Sequence, residues 1–320
     1  MDTIGLAYTR LLARPWVVLG PVLLDLYLWL GLKITAGPLV LKLADIVRPV
    51  KTVGNSAADF LEGQEQFNLA ELASMQLITV RMPTFLPLLV TEQSVRISSW
   101  KPAWESGSWW LLALIVPLLL LAGYAIGAIY LQSVGHVARD LPLSFDLRRT
   151  FGTALDLLLW LIASIGLFLL IAWPVLVLQG GLIWYGTGIV ELFILLLLIP
   201  AGIGFVLFFF SVFAIVLDGA TAIQAYRSSY RVVRAYGWQS IVFIVSFMVV
   251  TGGFPFFWRL LIDVPPGTLI AIIGNAFVST GMIAAGMIYY EDRAATVELG
   301  DLVPAPIDSR RHATKEQRFG

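Results

Sequence analysis

The sequence predicts an all-α fold, a polytopic transmembrane helical bundle with about six spanning helices and amphipathic helices in the plane of the cytoplasmic surface. Of its 320 residues 58% are hydrophobic and only 13% are charged, which is outside the usual composition of a water-soluble domain. Several stretches reach the length of about 20 residues that a membrane-spanning helix needs. The period-two alternation of a membrane barrel is missing. Because lipid offers no hydrogen-bond partners, the crossing segments are predicted to be helical.

The apolar stretches divide the chain into spans and connections. Spans are predicted near residues 15–36, 109–131, 154–178, 188–217, 239–262 and 268–290. Residues 37–108 form a predicted extracytoplasmic helical insertion, in which Leu39–Val50 and Asn68–Val80 have amphipathic patterns and lie on the outer leaflet. Residues 291–320 are a predicted flexible cytoplasmic tail.

The distribution of basic residues predicts the orientation. Of the 21 basic residues, 13 precede the first span or lie in the second connection, the fourth connection and the tail. Most of the others lie in the long segment between the first two spans, where charge has little influence on topology. Both termini are therefore predicted to be cytoplasmic. Tryptophan and tyrosine residues gather at the predicted span ends, as expected at membrane interfaces.

Three segments of the predicted cytoplasmic side have amphipathic patterns: residues 3–14, a segment that begins at Ser144, and residues 222–236. Each has apolar residues on one face and arginine on the other, which is typical of helices that lie in the interface. Asp218 is predicted to cap the third helix. The headgroup-binding residues predicted from these segments are Arg10, Arg14, Arg149, Arg227, Arg231 and Arg234. The three segments are either internal repeats, each followed by a hairpin, or cytoplasmic linkers that look alike.

A few polar side chains lie inside the predicted spans. Asp25 falls near the middle of the first span, where a charge is costly and marks a candidate functional site. Asn275 and Ser279 give the sixth span a polar stripe that could face Asp25, so the three residues form a candidate intramembrane polar site. Hydrogen bonding between helices is the alternative explanation. Pro200 and Pro255 predict kinks in the fourth and fifth spans.

Two segments resemble a known family. The run from Ala214 to Arg234 reads AIVLDGATAIQAYRSSYRVVR, and the linker from Gly135 to Arg149 leads into the third span. Both are similar to cytoplasmic segments of a group of prokaryotic six-helix integral membrane proteins, which includes the membrane domain of some glycerophosphodiester phosphodiesterases. The resemblance covers roughly residues 110–295. It implies a prokaryotic cytoplasmic (inner) membrane and a shared topology. The catalytic barrel of the fused relatives is absent here, so their reaction is not expected.

No catalytic or metal-binding pattern is recognisable in the sequence. The chain has two histidines and no cysteine, and paired carboxylates, a Ser-His-Asp arrangement and a phosphate loop are not seen. We expect a non-enzymatic protein without cofactor or metal that interacts with lipid or is an accessory subunit of a membrane assembly. The alternative is a transporter or channel for a small or amphiphilic solute. Expected partners are membrane lipids, with a protein partner or second copy bound through small-residue helix faces or the 37–108 insertion. The zero net charge argues against nucleic acid.

Overall fold

The computed structural model describes residues 3–49, 54–65, 67–73, 82–85, 103–105, 107–142, 146–184, 190–262 and 265–302. Eleven α-helices are described in these ranges: α1 Thr3–Ala13, α2 Leu19–Leu30, α3 Gly37–Val47, α4 Gly54–Glu62, α5 Trp109–Ala138, α6 Leu147–Trp184, α7 Val190–Phe208, α8 Ser211–Asp218, α9 Ala222–Ala235, α10 Gly237–Trp258 and α11 Pro265–Leu302. Two short parallel strands pair, β1 Lys33–Thr35 with β2 Ala103–Glu105. The predicted all-α fold is confirmed.

Five of the described helical segments are long and apolar enough to cross a membrane. The count reaches six if α1 is taken together with the helical segment Pro15–Leu30, to which it stands at an angle of 94°. The bend follows Arg14 and coincides with Pro15, which has no backbone N–H and cannot continue α1. The prediction of about six spans is therefore confirmed.

Two boundaries differ from the sequence prediction. The amphipathic segment expected from Ser144 is not a separate helix in the described residues, because Leu147 already begins α6, and Ser144 itself lies outside them. Residues 291–302, predicted as flexible tail, continue α11. Alanine and glutamate favour the helix there, and no proline interrupts residues 291–302. Residues 303–320 lie outside the described ranges.

The break between α7 and α8 lies at Phe209–Phe210. Helix α7 passes through Pro200, where the sequence predicts a kink. At the break, Ser229 of α9 accepts a hydrogen bond from the backbone N–H of Phe210 at 3.1 Å and donates one to the carbonyl of Leu207 at 2.7 Å. A single buried hydroxyl thus satisfies two backbone groups that an interrupted helix exposes.

Helix α9 has a clear start and a clear buried face. Gly219 has φ of 65° and ends α8, as glycine commonly does. Thr221 and Gln224 then form a reciprocal capping box. Asp218 is therefore not the cap of α9, contrary to the prediction. The buried residues of α9 are Ala225, Ser229, Val232 and Val233. They face α7, α8, α10 and α11, with which the helix packs.

Packing is concentrated in one half of the bundle, at the end where α5 reaches Arg139. We call it the Arg139 half. Its core is rich in stacked and edge-on aromatic rings from the α7–α8 break, α8, α10 and α11, namely Phe209, Phe210, Phe213, Phe243, Phe247, Tyr289 and Tyr290. Helix α11 lies at its centre: 67% of its most apolar segment is buried, against 17% for α6.

The other half, which we call the Trp110 half, leaves many large apolar side chains exposed. They come from α5, α6, α7 and α10, and include Trp110, Leu114, Leu170, Trp173, Leu198, Ile203, Val249 and Phe256. Exposed apolar surface of this extent is unfavourable in water and is covered without cost by lipid tails.

The insertion is only partly as predicted. Helices α3 and α4 pack together, and α3 corresponds to the predicted amphipathic segment Leu39–Val50. Of the segment Asn68–Val80, the structure describes a 3₁₀ turn over Leu69–Ala73 that packs against α5. The sequence also predicts that the insertion lies on the outer leaflet. Residues 82–85 are buried against the helices, with Met82 and Phe85 1% and 0% exposed. The position of the insertion relative to the leaflet stays a prediction.

Candidate functional site

Asp25 accepts hydrogen bonds from the buried part of the insertion, residues 82–85. Its side chain is completely buried in α2, and both carboxylate oxygens accept the backbone N–H of Phe85, at 3.0 and 2.8 Å. An unpartnered backbone N–H costs several kcal/mol in an apolar environment. Asp25 therefore fixes a short piece of non-helical backbone inside the bundle.

Asn275 and Ser279 of the predicted polar site are buried on α11, 1% and 3% exposed. The side-chain oxygen of Asn275 has no hydrogen-bond partner among the described residues, so it is not bonded to Asp25. The neighbouring Thr280 does pair, with the hydroxyl of Tyr130 on α5 at 2.9 Å. Bonding between helices accounts for Thr280.

Arg139 is the centre of a polar network at the end of α5. Its Nε donates to Glu291 of α11 at 2.8 Å, Nη1 to the carbonyl of Leu217 at 2.8 Å, and Nη2 to Asp218 at 3.2 Å. The second oxygen of Asp218 accepts the hydroxyl of Tyr290 at 2.9 Å. The planar guanidinium thereby ties α5 to α8 and α11, a geometry that lysine does not reproduce.

Sequence reasoning missed this network. Arg139 and Asp218 are visible in the sequence as charged residues at the ends of apolar stretches, which places them on one side of the membrane. The hydrogen bond from Arg139 to Glu291 joins positions 152 residues apart, and nothing in the local sequence pattern indicates it.

Arg10 and Arg14, predicted to bind headgroups, also contact the residues at the end of α5, and headgroup binding by them stays a prediction. One nitrogen of Arg10 donates to the carbonyl of Ala138. Arg14 donates to the carbonyl of Leu141 at 2.9 Å and forms an ion pair with Asp140 at 2.9 Å. These bonds fasten α1 to the bundle and use part of the donor capacity of both side chains.

A cleft of about 380 Å³ opens beside these arginines. We call it the Arg10 cleft. Its lining combines four charged residues with three apolar ones, namely Arg10, Arg139, Glu291, Asp292, Leu6, Leu141 and Ile288. A smaller pocket of about 30 Å³ also has Arg139 in its lining, together with His136 and Arg149. Asp25 lines neither cleft.

Five other arginines are exposed and have no ion-pair partner among the described residues. They lie at the start of α6 and on α9: Arg148, Arg149, Arg227, Arg231 and Arg234. Large apolar side chains are exposed on the same helices, with Phe151 73% and Ile223 66% accessible. We call these residues of α6 and α9 the basic face. Exposed guanidinium groups beside exposed apolar side chains are typical of a surface in the membrane interface.

Tyr226 of α9 is half-buried and faces α6. Its hydroxyl donates to the carbonyl of Trp160 in α6 at 3.0 Å and is hydrogen-bonded to Ser164. The ring packs edge-on against Phe208. Burial raises the pKa of Tyr226 above its ordinary value. Tyr226 thus joins α9 to α6, and Tyr230 is the exposed tyrosine of this helix.

Among the described residues, no group of three histidine, cysteine or acidic side chains could hold a metal ion. Comparison of the chain with protein-family models, curated proteins and solved structures found no match. The resemblance to the six-helix group stays a prediction. The chain is a multi-pass helical protein with five to six segments that could span a membrane.

Proposed function

We propose that this is a non-enzymatic integral membrane protein that binds anionic lipid headgroups through its basic face, in the prokaryotic cytoplasmic membrane with both termini cytoplasmic. The observation that carries the proposal is the set of five exposed arginines without ion-pair partners in the part of the chain that the structure describes. A guanidinium group donates two parallel hydrogen bonds to a phosphate. Each basic residue near an anionic surface contributes about 1 kcal/mol.

The position of α9 supports this proposal. Its buried face packs against the spanning helices, so the arginines on its other face are held in a fixed arrangement. Ile223 and Tyr230 are exposed beside Arg227 and Arg234 on one side of the helix. Apolar and basic groups that alternate along one exposed surface fit the boundary between headgroups and acyl chains.

The transport hypothesis requires a polar cavity that reaches Asp25. Both oxygens of Asp25 accept the N–H of Phe85, and Phe85 is packed with Val22, Ile272 and Ala276. This arrangement favours a structural role for the carboxylate. Neither of the two clefts described above includes Asp25 in its lining, and transport stays a prediction.

The test uses the purified full chain in nanodiscs of phosphatidylcholine with a minor fraction of phosphatidylglycerol. Arg227→Gln, Arg231→Gln and Arg234→Gln combined should weaken retention of phosphatidylglycerol, counted by native mass spectrometry, by about a hundredfold. Replacement of the same three residues by lysine keeps the charge and should preserve most of the retention.

Lys42→Gln removes an exposed charge from α3 in the insertion and should change retention little. Equal phosphatidylglycerol retention by the triple glutamine variant and the wild type would contradict the proposal. A lysine variant as weak as the glutamine variant would show that bidentate arginine geometry, and not charge alone, is required.

A further inference from the structure

The Arg10 cleft has an unusual balance of charge. Two guanidinium groups and two carboxylates line a space of about 380 Å³, within the range of small-molecule sites in proteins. A simple anion in the cleft would be repelled by the carboxylates of Glu291 and Asp292. A simple cation would be repelled by the guanidinium groups of Arg10 and Arg139. A ligand that carries both charges, a few ångströms apart, can place its negative group near a guanidinium and its positive group near the carboxylates.

We propose that the Arg10 cleft binds a zwitterionic phosphoethanolamine group. The phosphate lies against Arg10 and the primary ammonium against Glu291 and Asp292. An ammonium group donates up to three hydrogen bonds, whereas the quaternary ammonium of phosphocholine donates none. The cleft therefore distinguishes these two headgroups, although both are zwitterions.

The hydrogen bonds in the structure assign different roles to the four charged residues. All three nitrogens of Arg139 are occupied by protein acceptors, so Arg139 positions Glu291 and does not bind the ligand. Arg10 uses one nitrogen for the carbonyl of Ala138. Its other two nitrogens have no protein acceptor among the described residues, so they are available to a phosphate.

The acceptors for the ammonium are also available. Glu291 binds Arg139 through Oε1 only, which leaves Oε2 for the ligand within the described part of the structure. The side chain of Asp292 is 59% exposed, and its ion-pair partner Arg293 is 3.6 Å away. Arg293 also lies over the ring of Tyr289, with 4.4 Å between its guanidinium carbon and the ring centroid, which draws it toward the ring and leaves Asp292 accessible.

The position of the cleft indicates a bilayer lipid as the source of this group. Leu6, Leu141 and Ile288 supply apolar contact next to the charges. Helix α1 forms one wall, and it bends by 94° into the next helical segment of a membrane protein. A soluble glycerophosphoethanolamine has the same headgroup, so the experiment includes it. The proposal does not depend on the basic face, because none of the α9 arginines lines the cleft.

The test measures lipid retention by the full chain in nanodiscs with equal amounts of phosphatidylethanolamine and phosphatidylcholine. The wild type should retain phosphatidylethanolamine about tenfold better. Asp292→Asn should reduce this ratio about threefold, because an exposed carboxylate contributes modestly. Arg10→Gln should instead weaken retention of both lipids, since both carry the phosphate.

Two controls separate this proposal from the proposed function. Asp45→Asn removes an exposed carboxylate from α3 and should leave the ratio unchanged. The triple glutamine variant of α9 should also keep the ratio, even though it loses phosphatidylglycerol. Competition by soluble glycerophosphoethanolamine would show that the headgroup alone suffices, and lack of competition would assign the source to the lipid.

Equal retention of the two lipids by the wild type would overturn the proposal, and so would an unchanged ratio in Asp292→Asn. If Arg10→Gln does not purify as a monodisperse protein, the Asp292→Asn variant alone tests the proposal. The side chain of Asp292 is exposed and contributes little to folding, so this variant should fold.

Discussion

The Arg139 half and the Trp110 half of the bundle share helices α5 and α10 but pack differently. In the Arg139 half, the rings of Phe243 and Tyr289 stack with centroids 4.5 Å apart, and Phe213 is fully buried. In the Trp110 half, the same helix α10 exposes Val249 and Phe256. Both halves are strongly apolar, so hydropathy alone does not explain the difference.

What distinguishes the Arg139 half is the presence of α9 and a set of close contacts. Helix α9 packs among α6, α7, α8, α10 and α11, and its serine and tyrosine hydroxyls bind backbone groups of its neighbours. Gly281 and Gly286 of α11 lie directly against the rings of Tyr8 and Phe213. Tight helix packing in a membrane depends on such small residues and polar bonds, since burial from lipid provides little driving force.

The largest expected difference in the free energy of unfolding comes from adding one methyl group to a glycine in each half. A Cβ at Gly286 would lie 2.6 Å from Cζ of Phe213, a ring with no room to move. Gly286→Ala should therefore destabilise the protein by about 2 kcal/mol. Gly252 has no atom within 4 Å of the same position, so Gly252→Ala should be neutral or stabilising by up to about 1 kcal/mol. Unfolding by steric trapping measures both, and equal effects would remove the contrast between the halves.

A second change tests how the insertion is attached to the bundle. Asp25→Leu leaves the N–H of Phe85 buried without its acceptor, which should cost about 2 kcal/mol and speed hydrogen exchange at that amide. Asp25→Asn keeps an acceptor oxygen and should lose less. An Asp25→Leu variant that is as stable as the wild type, with slow exchange at Phe85, would disprove the structural role.

The smallest effect concerns the contact between α9 and α6. Tyr226→Phe removes the hydrogen bond to the Trp160 carbonyl and should cost about 1 kcal/mol. Tyr230→Phe, at an exposed site on the same helix, should cost much less.

Burial raises the pKa of Tyr226 above its ordinary value of 10.0. The stability contributed by the neutral hydroxyl is therefore complete below about pH 10 and is lost as the pH rises through the raised pKa. The Tyr226→Phe variant should therefore lose less stability than the wild type as the pH is raised, as measured by unfolding curves at alkaline pH. The same pH dependence in both proteins would contradict this prediction.

The sequence was sufficient to predict the fold class and the approximate spans, because length and apolarity of a segment determine whether it can cross lipid. It was not sufficient for the contacts. The break at Phe209–Phe210 contains neither proline nor glycine and depends on Ser229, which is distant from it in the chain. The acceptor role of Asp25 likewise depends on Phe85, 60 residues away. The capping box Thr221–Gln224 follows a recognisable sequence pattern, whereas the prediction placed the cap at Asp218.

The most direct test of the account is the depth of two spin labels in a bilayer. The chain has no cysteine, so Leu170→Cys and Ile223→Cys each give a single labelling site, and both positions are exposed, at 72% and 66%. With the full chain in lipid vesicles, the label at position 170 should collide with dissolved oxygen and be shielded from a water-soluble nickel complex. The label at position 223 should lie at headgroup depth, where dissolved oxygen and the nickel complex each reach it to an intermediate extent. If the nickel complex reached both labels as freely as a nitroxide in buffer, the exposed apolar surface would face water, and the account would be wrong.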